Sequence, residues 1–136
     1  AELIVVGPGS LYTSLLPNLL VQDLLGAIHA SRAIKIYICN IVTQAGETDS
    51  FSVYDHIRAM EEHIGDHVFD IMLCNNNFRT EPNKGDRWVQ IDNITRSDTR
   101  TQYADLVDES HPWRHDSVKL ANALIAILDE RTRTVQ

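Results

Sequence analysis

The stretch Leu3-Ile4-Val5-Val6-Gly7-Pro8-Gly9-Ser10-Leu11-Tyr12-Thr13-Ser14 decides how the rest of the chain reads. An aliphatic run that stops at Gly-Pro-Gly predicts a buried strand ending in a sharp turn. Beyond Ser10, apolar residues recur at Val21, Leu24, Leu25 and Ile28, the spacing of an amphipathic helix. Pro17 cannot donate to a helical ladder, so it separates a first short turn from that main helix. The opening unit is therefore strand, glycine turn, helix.

The same alternation continues outward. Residues 33–41 are Ile-rich and strand-like, and the loop Thr43-Gln44-Ala45-Gly46-Glu47-Thr48 follows. Ser52 and Asp55 have the spacing of a capping box. They open a helix carrying Val53, Ile57, Met60 and Ile64, which Gly65 is placed to end. Residues 68–74 read as a third strand, 75–87 as a polar loop, 88–91 as a short fourth strand and 104–107 as a fifth. A last helix starts at Asp116 or Ser117 and runs to about residue 130, with Val118, Ala121, Leu124, Ile125 and Leu128 expected to face the core. Strands alternating with helices predict right-handed crossovers and an α/β fold with a mostly parallel sheet.

The chain has 136 residues, enough for one domain with a real core. Its formal charge of −7, from 12 Lys+Arg and 19 Asp+Glu, argues against nucleic-acid binding through a general basic surface. Cys39 and Cys74 each lie inside an apolar run, which fits free thiols in a reducing cytoplasm rather than a disulfide framework. No apolar run reaches the roughly 18 residues of a membrane span, and no signal peptide is expected. The sequence opens directly on a strand, without methionine.

In an open α/β sheet, ligands bind outside the carboxyl ends of the strands. Here those ends carry residues 7–14, 40–48 and 75–77, all rich in small and amide side chains. Gly7 and Gly9 let backbone approach a ligand, and the amides and hydroxyls that follow favour an anion such as phosphate. The same residues equally describe a strand-to-helix turn with Ser10 as its cap. They match neither a P-loop, a dinucleotide fingerprint nor a nucleophile elbow. Asn40 can read an amide edge or a hydroxyl, and Glu47 can bind a hydroxyl or act as a base. The pairs His63/His67 and His111/His115 are interrupted by Gly65 and by Pro112-Trp113, so no metal site is expected. Asp55-His56 and His115-Asp116 read either as acid/base pairs or as helix-start residues, Asp116 more as an N-cap.

The segment Ile4-Val5-Val6-Gly7-Pro8-Gly9-Ser10-Leu11-Tyr12-Thr13-Ser14-Leu15-Leu16-Pro17-Asn18-Leu19-Leu20-Val21 resembles one typical of YvcK-like proteins, the gluconeogenesis-factor relatives of CofD. The resemblance continues from Lys35-Ile36-Tyr37 through Asn40-Ile41-Val42-Thr43-Gln44-Ala45-Gly46-Glu47-Thr48-Asp49. It extends to Tyr54-Asp55-His56, Asn75, and Arg114-His115-Asp116 with Lys119-Leu120-Ala121.

This resemblance implies a doubly wound, Rossmann-like, three-layer αβα fold and a nucleotide-sugar ligand, expected to be a UDP-sugar. It implies a regulator of carbon use and of cell-wall synthesis and cell shape, without catalysis. Gly7, Gly9, Ser10, Leu11, Thr13 and Ser14 would then hold phosphate. Asn40, Thr43, Gly46 and Glu47 would face base or sugar, and Asn75 would flank them. The CofD branch instead transfers a phospholactate unit to a deazaflavin precursor, and there Glu47 or Asp55 would handle the proton. That branch typically has Gly-Pro-Ser-Asn-Pro where this chain has Gly7-Pro8-Gly9-Ser10-Leu11, which favours the YvcK-like branch. Family members are longer and carry a Gly-Gly-Gly-Thr-Gly segment after their first strand. The chain is therefore expected to be the carboxyl-terminal part of a larger domain. Uncovered apolar surface on such a part points to a homo-oligomer.

Overall fold

The computed structural model describes residues 1–134. Four strands, β1 (Leu3–Val6), β2 (Ile34–Ile38), β3 (Ile71–Asn75) and β4 (Thr101–Ala104), form one sheet in the order β1-β2-β3-β4. All three pairings are parallel, with Val6 opposite Tyr37, Ile38 opposite Leu73 and Asn75 opposite Ala104. Every carboxyl end therefore lies along one sheet edge, where the ligand-facing loops were expected.

A π-helical turn, Leu11–Leu15, runs into the single turn α1 (Leu16–Leu19), with Pro17 in its first turn, where a missing N–H costs nothing. The main helix α2 (Gln22–Ala30) follows after a break at Val21. The helix α3 (Val53–Ile64) opens on a true capping box: Ser52 accepts the Asp55 N–H and Asp55 accepts the Ser52 N–H. Gly65, at φ 100°, ends it.

Sheet alternation divides the core. On one face Val6, Tyr37, Cys39, Met72 and Cys74 pack under Leu11, Leu16, Leu19 and Ile28, with Val53, Ile57, Met60 and Ile64 of α3. On the other, Ile36, Ile38, Ile71 and Leu73 pack with Leu106, Val107 and Ile127. The long helix α5 (Ser117–Thr134) covers that second face, so helices flank both sides in the Rossmann-like, three-layer αβα manner.

Three local expectations are corrected. Residues 88–91 form no strand of the sheet; they are tacked to the loop after β2 through single bridges, Val42 to Trp88 and Ser52 to Gln90. Their alternation reflects packing, with Val89 buried and Trp88 and Ile91 resting on the core. The fourth strand is instead Thr101–Ala104, whose polar composition suits a half-exposed sheet edge. The expected strand 104–107 keeps only Ala104 in the ladder; Val107 bridges His115 antiparallel. A short helix α4 (Asn93–Ser97), capped by Asp92 on the Thr95 N–H at 2.7 Å, lies between them unforeseen.

The third correction concerns α5. Its packed side is Leu120, Ala123, Leu124 and Ile127, whereas Val118 is 67% and Ile125 59% exposed. The helix is apolar on more than one side, and the sheet takes the stripe one position away from the expected one. Across the sheet, Arg100 joins α3 to the start of β4: its guanidinium meets Glu61 at 2.6 Å and Asp98 at 2.9 Å. That guanidinium holds the Asp98 carboxyl below its ordinary range.

Truncation of the buried α3 residue in Ile57→Ala lowers unfolding free energy by about 2–5 kcal/mol. Ile125→Ala changes it by no more than about 0.5 kcal/mol. Urea denaturation of the intact protein checks the pair; equal losses would contradict the orientation of α5.

Candidate functional site

The turn after β1 is built on a close approach. Gly7 has φ +90°, and a Cβ there would stand 2.8 Å from the Ile38 carbonyl oxygen. Only glycine lets the chain cross the top of β2 at this distance. The crossing brings the Gly9 N–H to the Asn40 side-chain oxygen at 3.3 Å. Ser10 caps the helical turn through the Thr13 N–H at 3.3 Å and donates its own hydroxyl to Glu47 at 3.0 Å. The structure thus joins the first and second candidate loops through Gly9–Asn40 and Ser10–Glu47.

A cleft of about 510 Å³ opens there, lined by Pro8, Gly9, Ser10, Asn40, Ile41, Val42, Gln44, Trp113, Arg114 and His115. Of the expected site residues, Gly9, Ser10 and Asn40 are at its wall, and Glu47 reaches it through Ser10. The Glu47 carboxylate and an incoming phosphate would compete for the same hydroxyl. The side chain of Leu11 is fully buried in the core, which leaves only its backbone to the site. Thr13 donates to Ser10, and Ser14 lines a separate apolar groove along β1.

Thr43 and Gly46 are turned to other tasks. Thr43 donates its N–H to the Arg87 carbonyl at 2.8 Å and faces a second cavity, and the Gly46 N–H is held by Asp49 at 2.7 Å. Asn75 is buried away from the cleft. Its oxygen accepts the N–H groups of Asn77 and Leu106, and its amide donates to the Asn77 carbonyl, so it clamps the ends of β3 and β4. Asp55 is spent in its capping box, and the buried His56 ring bonds the Ser52 carbonyl at 2.7 Å. Asp116 caps α5 through the Val118 and Lys119 N–H groups. Neither suspected acid/base pair is arranged as one. Among the described residues, no three His, Cys, Asp or Glu side chains gather as a metal cage.

The far wall is Trp113-Arg114-His115, of which only His115 had been read as a candidate, in an acid/base pair with Asp116. Residues 107–116 fold back on themselves: the Asp108 N–H donates to the Arg114 carbonyl at 3.1 Å, and the Asp116 N–H to the Leu106 carbonyl at 2.8 Å. Asp108 organises the bend, accepting the Ser110 and His111 N–H groups and the Arg114 guanidinium at 3.0 Å. That guanidinium holds the Asp108 carboxyl below its ordinary value. Arg114 lines the cleft with its guanidinium paired to Asp108 and a second nitrogen 3.3 Å from His111 Nδ1. His115 is pressed against β2, and burial lowers its pKa to about 4. The signal in the sequence was the polar run immediately before the last helix, after the fourth strand.

Two outcomes follow. Gly7→Ala meets both a forbidden φ and the Ile38 carbonyl, whereas Gly46→Ala, at φ +81° with open space, meets only the φ strain. Gly7→Ala is therefore the more destabilising, by about 1–3 kcal/mol or more, read by urea denaturation. On acidification, an unfolded His115 ring takes up its proton near 6.5, while the folded ring resists until about 4. Stability therefore falls as pH drops through that window, since the unfolded state binds the extra proton. Unfolding at about pH 7 and pH 5 should show a smaller loss for His115→Asn than for the wild type.

The CofD family, described as 2-phospho-L-lactate transferase CofD, matches residues 1–132. The gluconeogenesis factor of Listeria monocytogenes is 42% identical over 140 residues, covering 97% of this chain and 43% of that protein. A putative gluconeogenesis factor of Aquifex aeolicus is 35% identical, covering 95% and 42%. The crystal structure of a UPF0052 family member from Bacillus halodurans superposes with a TM-score of 0.84 at 37% identity, covering 92% of this chain and 43% of that one. The chain thus spans less than half the length of these relatives. With the parallel sheet, the glycine crossing and matched residues running from end to end, this chain belongs to the CofD family.

Proposed function

We propose that the chain is the carboxyl-terminal part of a nucleotide-sugar-binding regulator of the YvcK-like branch, with a UDP-sugar in the cleft between the loops after β1 and β2. The observation that carries this reading is the convergence of Gly9, Ser10 and Asn40 with Arg114 at the carboxyl ends of parallel strands. Backbone amides and a cation suit a diphosphate there, and the side-chain amides suit sugar or base. Similarity to gluconeogenesis factors supports a role in carbon metabolism, and we extend it to cell-wall and cell-shape control. Two free, buried cysteines favour a cytoplasmic setting, and the Cys74 thiol is pushed up to about 12 by burial. Among the described residues, no single helix is long and apolar enough to cross a membrane.

The outer edge of β1 bears no strand among the described residues, and Val5 and Leu24 beside it are exposed. This supports completion of the sheet by the rest of a larger domain or by a second copy in a homo-oligomer. Light scattering of the intact protein separates the two.

The family's own description favours a second reading, transfer of phospholactate to a deazaflavin precursor. Asp55 is locked in its capping box, which leaves Glu47 as the base for that chemistry. Titration of UDP-N-acetylglucosamine and GDP into the intact protein tests the first reading. Gly9→Val and Asn40→Ala should each weaken the UDP-sugar at least tenfold. Undiminished binding in both variants overturns the site, and deazaflavin product formed by the wild type but not by Glu47→Gln establishes the second reading instead.

A further inference from the structure

Two residues that line the cleft each carry a buried polar atom without any hydrogen-bond partner: Gln44 Oε1 and His115 Nε2. The Gln44 backbone is fully engaged. The Gln44 N–H donates to the Thr48 hydroxyl at 2.8 Å, and its carbonyl accepts the Glu47 and Thr48 N–H groups at 3.1 and 2.9 Å. Thr48 is itself fully buried, so the Gln44 backbone is pinned and only its side chain remains to be used. The His115 backbone is held by the antiparallel bridge to Val107, and burial keeps its ring neutral, with its pKa lowered to about 4. A neutral imidazole carries one N–H and one lone pair, so with its proton on Nδ1 the ring accepts at Nε2.

Buried acceptors of this kind are rare in folded proteins, since each forgoes its bond to water. Two of them, contributed by loops 71 residues apart in sequence, line the same opening. A phosphate or carboxylate oxygen placed against these two atoms would meet their lone pairs. The group that satisfies them is an uncharged donor, while the anionic part of a ligand is drawn to Arg114 and the glycine loop.

We propose that His115 and Gln44 act together as a neutral acceptor pair that selects a hydrogen-bond donor, a hydroxyl or ring N–H, on the ligand of this cleft. The proposal rests on the nucleotide-sugar reading above and adds a specificity element to it. His115 and Gln44 choose among ligands by what hangs from the phosphates, and Arg114 and the first loop hold the phosphates themselves. A ligand whose donor is removed leaves both acceptors unpaired, which is the strongest form of rejection available to an uncharged site.

The test is calorimetric titration of the intact protein with UDP-N-acetylglucosamine and with UDP. His115→Phe keeps a ring of similar shape and removes the acceptor; Gln44→Leu does the same on the other loop, and His115→Gln restores an acceptor oxygen. Each removal is expected to weaken UDP-N-acetylglucosamine about tenfold or more, with partial recovery in His115→Gln. A loss confined to UDP-N-acetylglucosamine locates the donor on the sugar, and an equal loss for UDP locates it on the nucleotide; both support the pair. Wild-type binding that His115→Phe and Gln44→Leu leave unchanged overturns the pair while sparing the nucleotide reading. Failure of the wild type to bind either probe overturns that reading and the pair with it.

Discussion

The passage of the backbone at Gly7 over the Ile38 carbonyl is the constraint on which the cleft depends. With a Cβ due only 2.8 Å from that oxygen, the chain can leave β1 across β2 only as glycine. Once it does, Gly9 falls within reach of Asn40, Ser10 within reach of Glu47, and Leu11 drops into the core as an anchor. Parallel pairing does the rest, because it sends every strand's carboxyl end to one edge and stacks the loops there. The site is therefore a consequence of backbone geometry first and of side-chain chemistry second.

Stability and recognition are drawn from separate groups. Capping and clamping engage Asp55, Asp92, Asp116 and Asn75, each of which bonds backbone groups near it in space. The Arg100 bridge between Glu61 and Asp98 ties α3 to the far edge of the sheet; removing the arginine would leave the buried Glu61 with only the longer Arg58 contact, at 3.6 Å. By contrast, Gln44, Arg114 and His115 retain groups the fold does not use. Unused polar capacity at the wall of a cleft, rather than residue type, is what separates the binding candidates from the scaffold.

The loops legible in the sequence were those at strand ends, since glycine pairs and a run of amides mark a βα turn from local chemistry alone. Gly9, Ser10 and Asn40 were readable for that reason. Asn75 carried the same local mark and proved a clamp, because its partners, Asn77 and Leu106, include one 31 residues away. The strand at 88–91 was misread because alternation reports burial and not pairing: Val89 is buried against the core while its backbone bonds a loop. Thr101–Ala104 is a sheet edge, where half-exposure permits polar residues and erases the signal.

By itself the sequence determined the α/β class, the order of most elements, the glycine turn after β1 and the capping box of α3. These follow from spacing within a few residues of one another, where periodicity, φ and a missing N–H act locally. Tertiary structure alone decided which stripe of α5 meets the sheet, which strand forms its far edge, and that Trp113-Arg114-His115 returns to face the first loop. Those outcomes depend on contacts across tens of residues, and a helix with more than one apolar stripe, or a polar loop able to bend back, has no local feature that chooses among them.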